Sequence, residues 1–510
     1  MPRPNDVVIK PQEEYAYGHI IKALAGGLYP NKFHVAREYV QNGFDAILNW
    51  KQTKKHAKCQ IRISIQKPSI FIYDNGTGMD RHTLNEYRKV GFSKKMVGEF
   101  AGFRGIGKLA GISVAKKLIV TTSPYGISEK YILTFDAEAM INEIDALKKN
   151  RENISLNNLI AKHTTISSDA EHKNEHYTMV ELHDIKPDSK ILLDNKNLCD
   201  YLSKNAPVPF NPNFPCGKEI EDDIRRFVSD YDCVELLVDN MPVYKPFAPN
   251  LKPHKHILVW DSKGQKQKAF SWYCENQGKG QIKPDELSGF IYRYKNFAVG
   301  DNYLTRKTIW GASSHLAFYF MGEIYITVPE IIPTSQRDDF EQSIERDTFY
   351  KDANVIANEV IKLARTSSNI RRAKEVVDEG AKVVSIIGKE VDKKEPSLRD
   401  LIVEKITLLS NTISKIQSRE KNIPPDDKST RILAKRVVKK ARKLLGQISE
   451  IEKQEKKQYS IINALRFNNQ AKRVYLTTIR TLKDVLVDQP EELEVIIKEI
   501  HKNLKKEFGI

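Results

Sequence analysis

The sequence has few cysteines and no long apolar run. Nowhere do about 18 uncharged apolar residues follow one another, so no membrane-spanning helix is predicted. The opening Met-Pro-Arg-Pro-Asn-Asp lacks a signal-peptide run, and we expect a cytoplasmic protein, or a nuclear one in a eukaryote, without a membrane contact. The cysteines show no C-x-x-C spacing, which argues against a disulfide framework and a zinc site. They are Cys59, Cys199, Cys216, Cys233 and Cys274.

Acidic residues are fewer than basic residues in the last third of the chain, so most of the net positive charge lies there. Residues 361–510 contain 34 of the 82 Lys and Arg residues but only 21 of the 66 Asp and Glu residues. This segment therefore holds +13 of the net charge of +16. Between Arg431 and Lys443 there are seven basic residues and no acidic one. We expect a surface that binds an acidic partner to lie in this segment.

Glycine is also rare after Asp352, which marks a change of structural class. At 510 residues the chain exceeds the roughly 250 to 300 residues at which one core stops growing, so several domains are expected. Residues 1–186 alternate helical and strand patterns, typical of an α+β fold. Residues 187–355 contain the aromatic and β-branched runs of a second, α/β domain. Residues 356–510 show the periodicity of long helices. Breaks are predicted at Pro396, Pro424, Pro425 and Pro490.

Local patterns predict the individual elements. Helical periodicity predicts a helix from about Lys32 to Trp50. The charged, Asn-rich segment 137–175 predicts an insertion with helices and a surface loop. Strands are predicted at 61–65, 70–73, 117–122, 177–182, 233–238, 289–294 and 322–328.

The first helix carries a polar stripe. Glu38, Asn42 and Asp45 stand at i, i+4 and i+7, within one narrow arc of the helix. Such a stripe is often a solvated face, but Gly43 costs a helix interior about 1 kcal/mol relative to Ala and indicates that something approaches closely. A carboxylate and an amide oxygen together suit the activation of water and the coordination of magnesium.

Two glycine-containing elements follow. Residues 74–79, Asp-Asn-Gly-Thr-Gly-Met, come after a predicted strand and by themselves are typical of an ordinary turn. Residues 102–108, Gly-Phe-Arg-Gly-Ile-Gly-Lys, open a predicted helix, where free amides favour phosphate oxygens; a flexible loop is the alternative. The second element nearly matches a P-loop, but Leu109 replaces the required hydroxyl and no strand directly precedes it. We therefore disfavour a P-loop.

Taken in order, the three elements resemble the GHKL ATPase family, which includes DNA gyrase B, MutL, the ninety-kilodalton heat-shock chaperones, histidine kinases and MORC proteins. Residues 38–46 are similar to its E-x-x-x-N-x-x-D-A box, residues 74–78 to its D-x-G-x-G box, and residues 102–105 to its second glycine box. Thr178 is similar to the threonine that ends the family's site. The resemblance implies a Bergerat-type ATPase sandwich that uses ATP and Mg²⁺.

The resemblance also implies roles for individual residues. Glu38 would be the general base for the attacking water, Asn42 the magnesium ligand, and Asp74, helped by Thr178, the acceptor for the adenine amino group. Residues 91–102 would form a mobile lid. The residues expected to bind the nucleotide are Asn42, Asp45, Asp74, Gly76, Gly78, Met79, Ser93, Lys95, Gly102, Gly105, Ile106, Gly107, Lys108 and Thr178.

Residues 332–340 resemble the phosphate-sensing loop of a transducer domain, which implies that residues 187–355 are transducer-like. Arg337 is the expected contact to the γ-phosphate and the second catalytic residue, because a guanidinium supplies charge and a planar fork. A surface arginine paired with Asp338 or Asp339 is the alternative.

The C-terminal region contains a basic helix face, formed by Arg431, Lys435, Lys439 and Arg442. This face predicts contact with duplex DNA or another nucleic acid, although a solvated face has the same pattern. Two functions stay open. One is an ATP-gated homodimeric clamp on DNA, or in a nucleic-acid-processing or defence complex with a partner nuclease. The other is a chaperone-like ATPase that acts on protein clients.

Overall fold

The structure, a computed structural model, divides the chain into two compact units, Met1–Ala364 and Arg365–Ile510. Each unit is described by itself. The domain limits at residues 186 and 355 stay a prediction. The described residues are 17–18, 20–21, 30–53, 59–93, 100–102, 105–277, 280–392, 402–464, 469–486 and 489–507.

An eight-stranded sheet is the centre of the first unit. Its strands are β1 (Gln60–Gln66), β2 (Ser69–Asp74), β3 (Ala115–Ser123), β4 (Glu129–Asp136), β5 (Thr164–Ala170), β6 (Tyr177–Ile185), β7 (Glu235–Val238) and β8 (Met241–Pro242). Their order is β5-β4-β3-β6-β2-β1-β7-β8. The pairs are antiparallel except for the parallel pair of β1 with β7. The register of β2 and β6 sets Asp74 opposite Thr178, so two predicted site residues become neighbours.

The predicted first helix is confirmed as α1, Phe33–Thr53. Its apolar face packs in the same core as the sheet, with Val40, Phe44 and Ile47 buried. The close approach that Gly43 indicated is to β2: an added Cβ would come within 2.9 Å of the Asp74 Cβ. This contact brings the polar stripe of α1 against the end of β2.

One local prediction was wrong in part, and another was less specific than the structure. Helix α2 is Arg81–Tyr87. The segment 137–175 forms two helices as predicted, α3 (Ala137–Lys149) and α4 (Leu156–Lys162), but the part of it that was predicted as a loop contains the edge strand β5. An edge strand can be polar because its outer side faces water, so the sequence gives little signal. The helix after the glycine element is a 3₁₀-helix, Gly107–Ser113. Its glycines lie against other side chains: an added Cβ on Gly107 would come within 2.2 Å of Glu38, and one on Gly111 within 2.5 Å of Leu182.

A five-stranded sheet forms the other part of the first unit. Its strands are β9 (Lys255–Trp260), β10 (Gln267–Glu275), β11 (Gly289–Tyr294), β12 (Phe297–Val299) and β13 (Phe320–Ile326), in the order β12-β11-β13-β10-β9. Helix α5 (Asn195–Asn205) packs in the core of the first sheet through Leu198 and Leu202, and α6 (Gly217–Phe227) and α7 (Asn302–Thr305) follow it in the chain. Phe44 of α1 packs edge-on against Phe297 of β12, which joins the two sheets beside the polar stripe.

The last region consists of long helices. They are α8 (Ile344–Asp392), α9 (Ile402–Glu420), α10 (Lys428–Ala464), α11 (Asn469–Val485) and α12 (Pro490–Glu507). The second unit begins within α8. Helices α8, α9 and α10 share a core that includes Val377, Leu409 and Leu444. The mixed α+β class and the long-helical C-terminal region are thus confirmed, although α8 begins before Asp352. The breaks at Pro424, Pro425 and Pro490 are observed, while Pro396 lies outside the described residues. Of the helices described, none combines the length and the apolarity needed to span a membrane.

Candidate functional site

A cavity of about 330 Å³ lies between α1, the end of β2, the glycine element and residues 333–337. This volume is within the usual range for small-molecule sites, about 300 to 1,000 Å³. Its walls bring together residues that are distant in sequence. The predicted site residues that line it are Glu38, Asn42, Asp74, Gly78, Met79, Ser93, Gly102, Gly105, Ile106, Gly107, Lys108, Thr178 and Arg337.

Asp45 and Gly76 do not line the cavity. Asp45 is fully buried, and its carboxylate accepts hydrogen bonds from the backbone amides of Ala101, at 3.1 Å, and Gly102, at 3.2 Å. It therefore holds the chain at the end of the predicted lid. Gly76 packs against Ala46, which does line the cavity. The nucleotide contact predicted for Lys95, most of the lid (94–99) and residues 103–104 of the glycine element lie outside the described residues.

The carboxylate of Glu38 lies at one end of the cavity. Its side chain is 13% exposed. Gly107 packs against it, and a side chain on Gly107 would collide with the Oε2 atom. Arg37, which the sequence reasoning missed, lies behind it: the Nη2 atom is 3.5 Å from Glu38 Oε1 and donates to the Gln336 carbonyl at 3.1 Å. One guanidinium thus contacts both the predicted general base and the 333–337 loop.

Asp74 and Thr178 also line the cavity. The Oδ1 atom of Asp74 accepts a hydrogen bond from the Gly76 amide at 2.9 Å. Thr122, on β3, was also missed: its hydroxyl oxygen accepts from the Met79 amide at 2.8 Å and lies 3.2 Å from the Thr178 hydroxyl oxygen. The signal available in the sequence was the polar run 121–123 directly after the apolar run 118–120 of the same strand. These contacts fix the turn after β2 against the neighbouring strands.

Arg337 extends from the second sheet's side toward this cavity. It is 5% exposed, and its backbone is left-handed, with φ of 55°. The Nη2 atom donates to the Ala101 carbonyl at 2.6 Å, and the guanidinium lies 5.2 Å from the centre of the Phe297 ring. The buried Nη1 atom has no hydrogen-bond partner within the described part of the chain.

Arg337 remains a cation at neutral pH. Burial, and then repulsion from Arg37, lowers its pKa to about 10. The surface pairs considered from the sequence are not those observed, because Asp338 accepts from the Thr334 hydroxyl and Asp339 from the Tyr350 hydroxyl. A buried cation with an unpartnered donor on a cavity wall suits an anionic ligand.

Lys108 lies where the predicted lid begins. Its Nζ atom donates to the carbonyls of Phe92, at 2.8 Å, and Glu86, at 3.1 Å. Burial lowers its pKa to about 8, so the amine is mostly protonated at neutral pH. In this conformation its charge holds the chain before the lid while the residue also lines the cavity.

The basic face of α10, in the second unit, is only partly as predicted. Lys435, Lys439 and Arg442 are exposed. Arg431 is half-buried, and its Nε and Nη2 atoms donate to the Ile423 carbonyl at 3.2 and 2.9 Å, which closes the turn between α9 and α10. The remaining basic residues of this face are also exposed: Arg436, Lys440 and Lys443.

Comparison with protein families gives a match for the segment that forms most of this cavity. Residues 31–178 match a family model described as histidine kinase-, DNA gyrase B-, and HSP90-like ATPase. The matched segment contains the polar stripe, the turn after β2 and the glycine element, and it ends at Thr178. The comparison with curated proteins gave no match.

Proposed function

Residues 31–178 belong to the GHKL-type ATPases, and on that basis we propose that the chain is a magnesium-dependent, ATP-gated homodimeric clamp that acts on duplex DNA. The observation that carries the proposal is the shared cavity. A carboxylate from α1 (Glu38), a second carboxylate at the end of β2 (Asp74) and a buried guanidinium from the second sheet (Arg337) all line it. The first two suit hydrolysis and adenine recognition, and the third suits the sensing of phosphate.

The cavity offers each end of ATP a matching group. Asp74 would accept a hydrogen bond from the adenine amino group beside Thr178. The amides near Gly107, at the start of the 3₁₀-helix, would donate to phosphate oxygens. The unpartnered Nη1 atom of Arg337 would donate to the γ-phosphate, because a buried cation gains most from an anionic partner.

Hydrolysis would use the stripe on α1. Asn42 stands one helical turn from Glu38 and supplies the amide oxygen that would hold magnesium, a hard ion. When bound, this ion would neutralise phosphate charge. Glu38 would take a proton from the attacking water as the new bond to the γ-phosphorus forms and the bond to the bridging oxygen breaks. Arg337 would stabilise the charge of the transferred phosphoryl group.

The contacts of Arg37 support coupling between the base and the 333–337 loop. A shift of this loop would move the Gln336 carbonyl, and through Arg37 it would reach the Glu38 carboxylate. ATP binding at Arg337 would thereby align the base. This link supports a switch in which closure and hydrolysis depend on each other.

The basic face of α10 supports DNA as the partner. Six exposed cations and no acidic side chain occupy residues 435–443. Long flexible side chains on such a face would contact phosphates rather than read bases, so we expect binding to duplex DNA without sequence preference. A partner nuclease could then cut DNA that the clamp holds.

Static light scattering with a non-hydrolysable ATP analogue tests the clamp. The analogue should convert the protein to a closed dimer or compact an existing one, and Asp74→Asn should not respond because its adenine acceptor is altered. An unchanged mass and radius in the wild-type protein, under conditions where calorimetry shows analogue binding, would contradict the clamp while leaving ATP binding intact.

A chaperone-like function is the second candidate. Several valines in the second unit are strongly exposed, including Val403 at 69% and Val485 at 73%. Exposed apolar side chains favour contact with another protein, either a second copy or a client. Suppression of the aggregation of an unfolded test protein, dependent on ATP, would favour the client interpretation.

A further inference from the structure

His176 lies immediately before β6 and contacts the turn after β2. Its Nδ1 atom is 2.8 Å from the Gly76 carbonyl oxygen. A carbonyl oxygen can only accept, so the proton must lie on Nδ1 and the histidine is the donor. The contact joins two segments about 100 residues apart in the chain.

An aromatic platform holds this ring in place. His176 stacks on Trp50, with ring centres 3.9 Å apart and planes at 28°. Tyr125 packs edge-on against the same histidine. Trp50 is 7% exposed and belongs to the last turns of α1. The imidazole therefore has its orientation set by packing before it makes its hydrogen bond.

Gly76 is fixed from three directions. Its amide donates to Asp74 Oδ1 at 2.9 Å, and its carbonyl accepts from His176. Its α-carbon lies against Ala46, where an added Cβ would come within 2.6 Å of the Ala46 Cβ. Trp50 follows Ala46 by four residues, which sets both on the same face of α1. One helix face thus supports both the glycine and the histidine that holds it.

We propose that His176 is a positioning residue for adenine recognition, an inference that rests on the proposed role of Asp74. The histidine does not line the cavity. By holding the Gly76 carbonyl it keeps the Gly76 amide on Asp74, and so it fixes the rotamer of the carboxylate that receives the base. Without this donor the Gly76–Thr77 peptide can rotate, Gly76 is held less firmly, and its hydrogen bond to the Asp74 carboxylate is weakened.

The expected effect lies on binding and not on chemistry. His176 bonds the turn after Asp74, whereas Glu38 contacts Arg37 and Arg337 bonds the Ala101 carbonyl. Loss of one orienting hydrogen bond should weaken ATP binding about three- to tenfold. The catalytic constant at saturating ATP should stay within about twofold of wild type, since the transition state gains nothing further from His176.

Two substitutions separate the hydrogen bond from the stacking. His176→Phe keeps an aromatic ring on Trp50 and removes the donor. His176→Asn removes the ring but keeps an N–H at the same distance from the Cβ atom. The matched control is His183→Phe, within β6, because the His183 ring contacts Glu181 and Phe71 instead of the turn.

The experiment is calorimetry with a non-hydrolysable ATP analogue, combined with steady-state kinetics and thermal unfolding of each variant. We expect His176→Phe to raise Kd and KM about three- to tenfold with an unchanged kcat, His176→Asn to recover most of the affinity, and His183→Phe to match wild type. Wild-type affinity in His176→Phe would overturn the inference. So would equal losses in His176→Phe and His176→Asn, or a parallel fall of kcat and unfolding temperature. If the wild-type protein bound no analogue, the proposed function would fail first.

Discussion

Replacing Arg337 by methionine separates the charge of this side chain from its place in the fold. Methionine has a similar length and can keep the apolar contact with Phe297. It also leaves the backbone cost unchanged, because neither residue is a glycine and both must adopt the left-handed φ of 55°. The substitution therefore removes the charged fork and its hydrogen bonds.

The expected loss in activity follows from the unpartnered Nη1 atom. A hydrogen bond from a charged group to phosphate is worth about 1.5 to 3 kcal/mol, which corresponds to a fall in kcat of about 10- to 100-fold. Affinity for ATP should change little if the contact strengthens in the transition state. Arg337 loses its charge as pH rises through its pKa of about 10. Titration of Arg337 should therefore leave the wild-type kcat unchanged below about pH 9 and should lower it above that pH.

The expected change in stability has the opposite direction. The folded-state pKa of Arg337 lies below its ordinary value, so the unfolded chain holds the proton more tightly. The cost to the folded state is fully present below about pH 10 and disappears as pH rises toward the ordinary pKa of arginine. Arg337→Met removes this cost and loses the bond from the charged guanidinium to the Ala101 carbonyl, worth about 1.5 to 3 kcal/mol. Without nucleotide, the variant should unfold at the wild-type temperature or above it.

The assay is phosphate release against ATP concentration, with thermal unfolding of the same samples. Arg346→Met is the matched control, because Arg346 pairs with Asp347 and does not line the cavity; its kcat should be unaffected. Wild-type turnover in Arg337→Met would refute the phosphate contact. A lower unfolding temperature with a proportional loss of activity would instead assign Arg337 to the fold.

Three other substitutions test the remaining parts of the account. Glu38→Ala should bind ATP normally and hydrolyse it about 10²- to 10⁴-fold more slowly; unchanged turnover would remove Glu38 from the mechanism. Asp74→Asn should abolish ATP binding measurable by calorimetry, because an amide offers a donor where an acceptor is needed, and tight binding would refute its role. Charge reversal on α10 should reduce the slope of log K for DNA binding against log salt by about 2.7. Charge reversal on α12 should leave this slope unchanged, and equal slopes for the two variants would exclude α10 as the DNA-binding surface. The α10 set is Lys435, Lys439 and Arg442, and the α12 set is Lys498, Lys502 and Lys506.

The sequence predicted the elements whose signals are local. The 3.6-residue period of α1, the alternation in β1 and β2, and the order of the three site motifs all appear within short windows. The glycine at position 43 even indicated a close approach, which is to Asp74. These features depend on neighbours along the chain, and for them periodicity and residue type are sufficient evidence.

The features that were missed depend on contacts between distant segments. Arg37 is in the same helix as Glu38, but its partner at Gln336 lies 299 residues away. The roles of Thr122 and His176 depend on the fold, which brings β3 and the residue before β6 next to the turn after β2. Arg431 has the spacing of a free basic face, yet it bonds the Ile423 carbonyl. A one-dimensional pattern cannot show which polar groups a fold will use to satisfy its own backbone.

The rate of phosphate release from ATP, measured with and without duplex DNA, is the most direct test of the proposed ATPase. We expect hydrolysis that requires magnesium, increases when duplex DNA is added at low salt, and disappears in Glu38→Ala. The absence of magnesium-dependent phosphate release in the wild-type protein, with DNA and without it, would contradict the central claim. Hydrolysis that persisted in Glu38→Ala would contradict the site, and a rate indifferent to DNA would contradict the clamp's proposed partner.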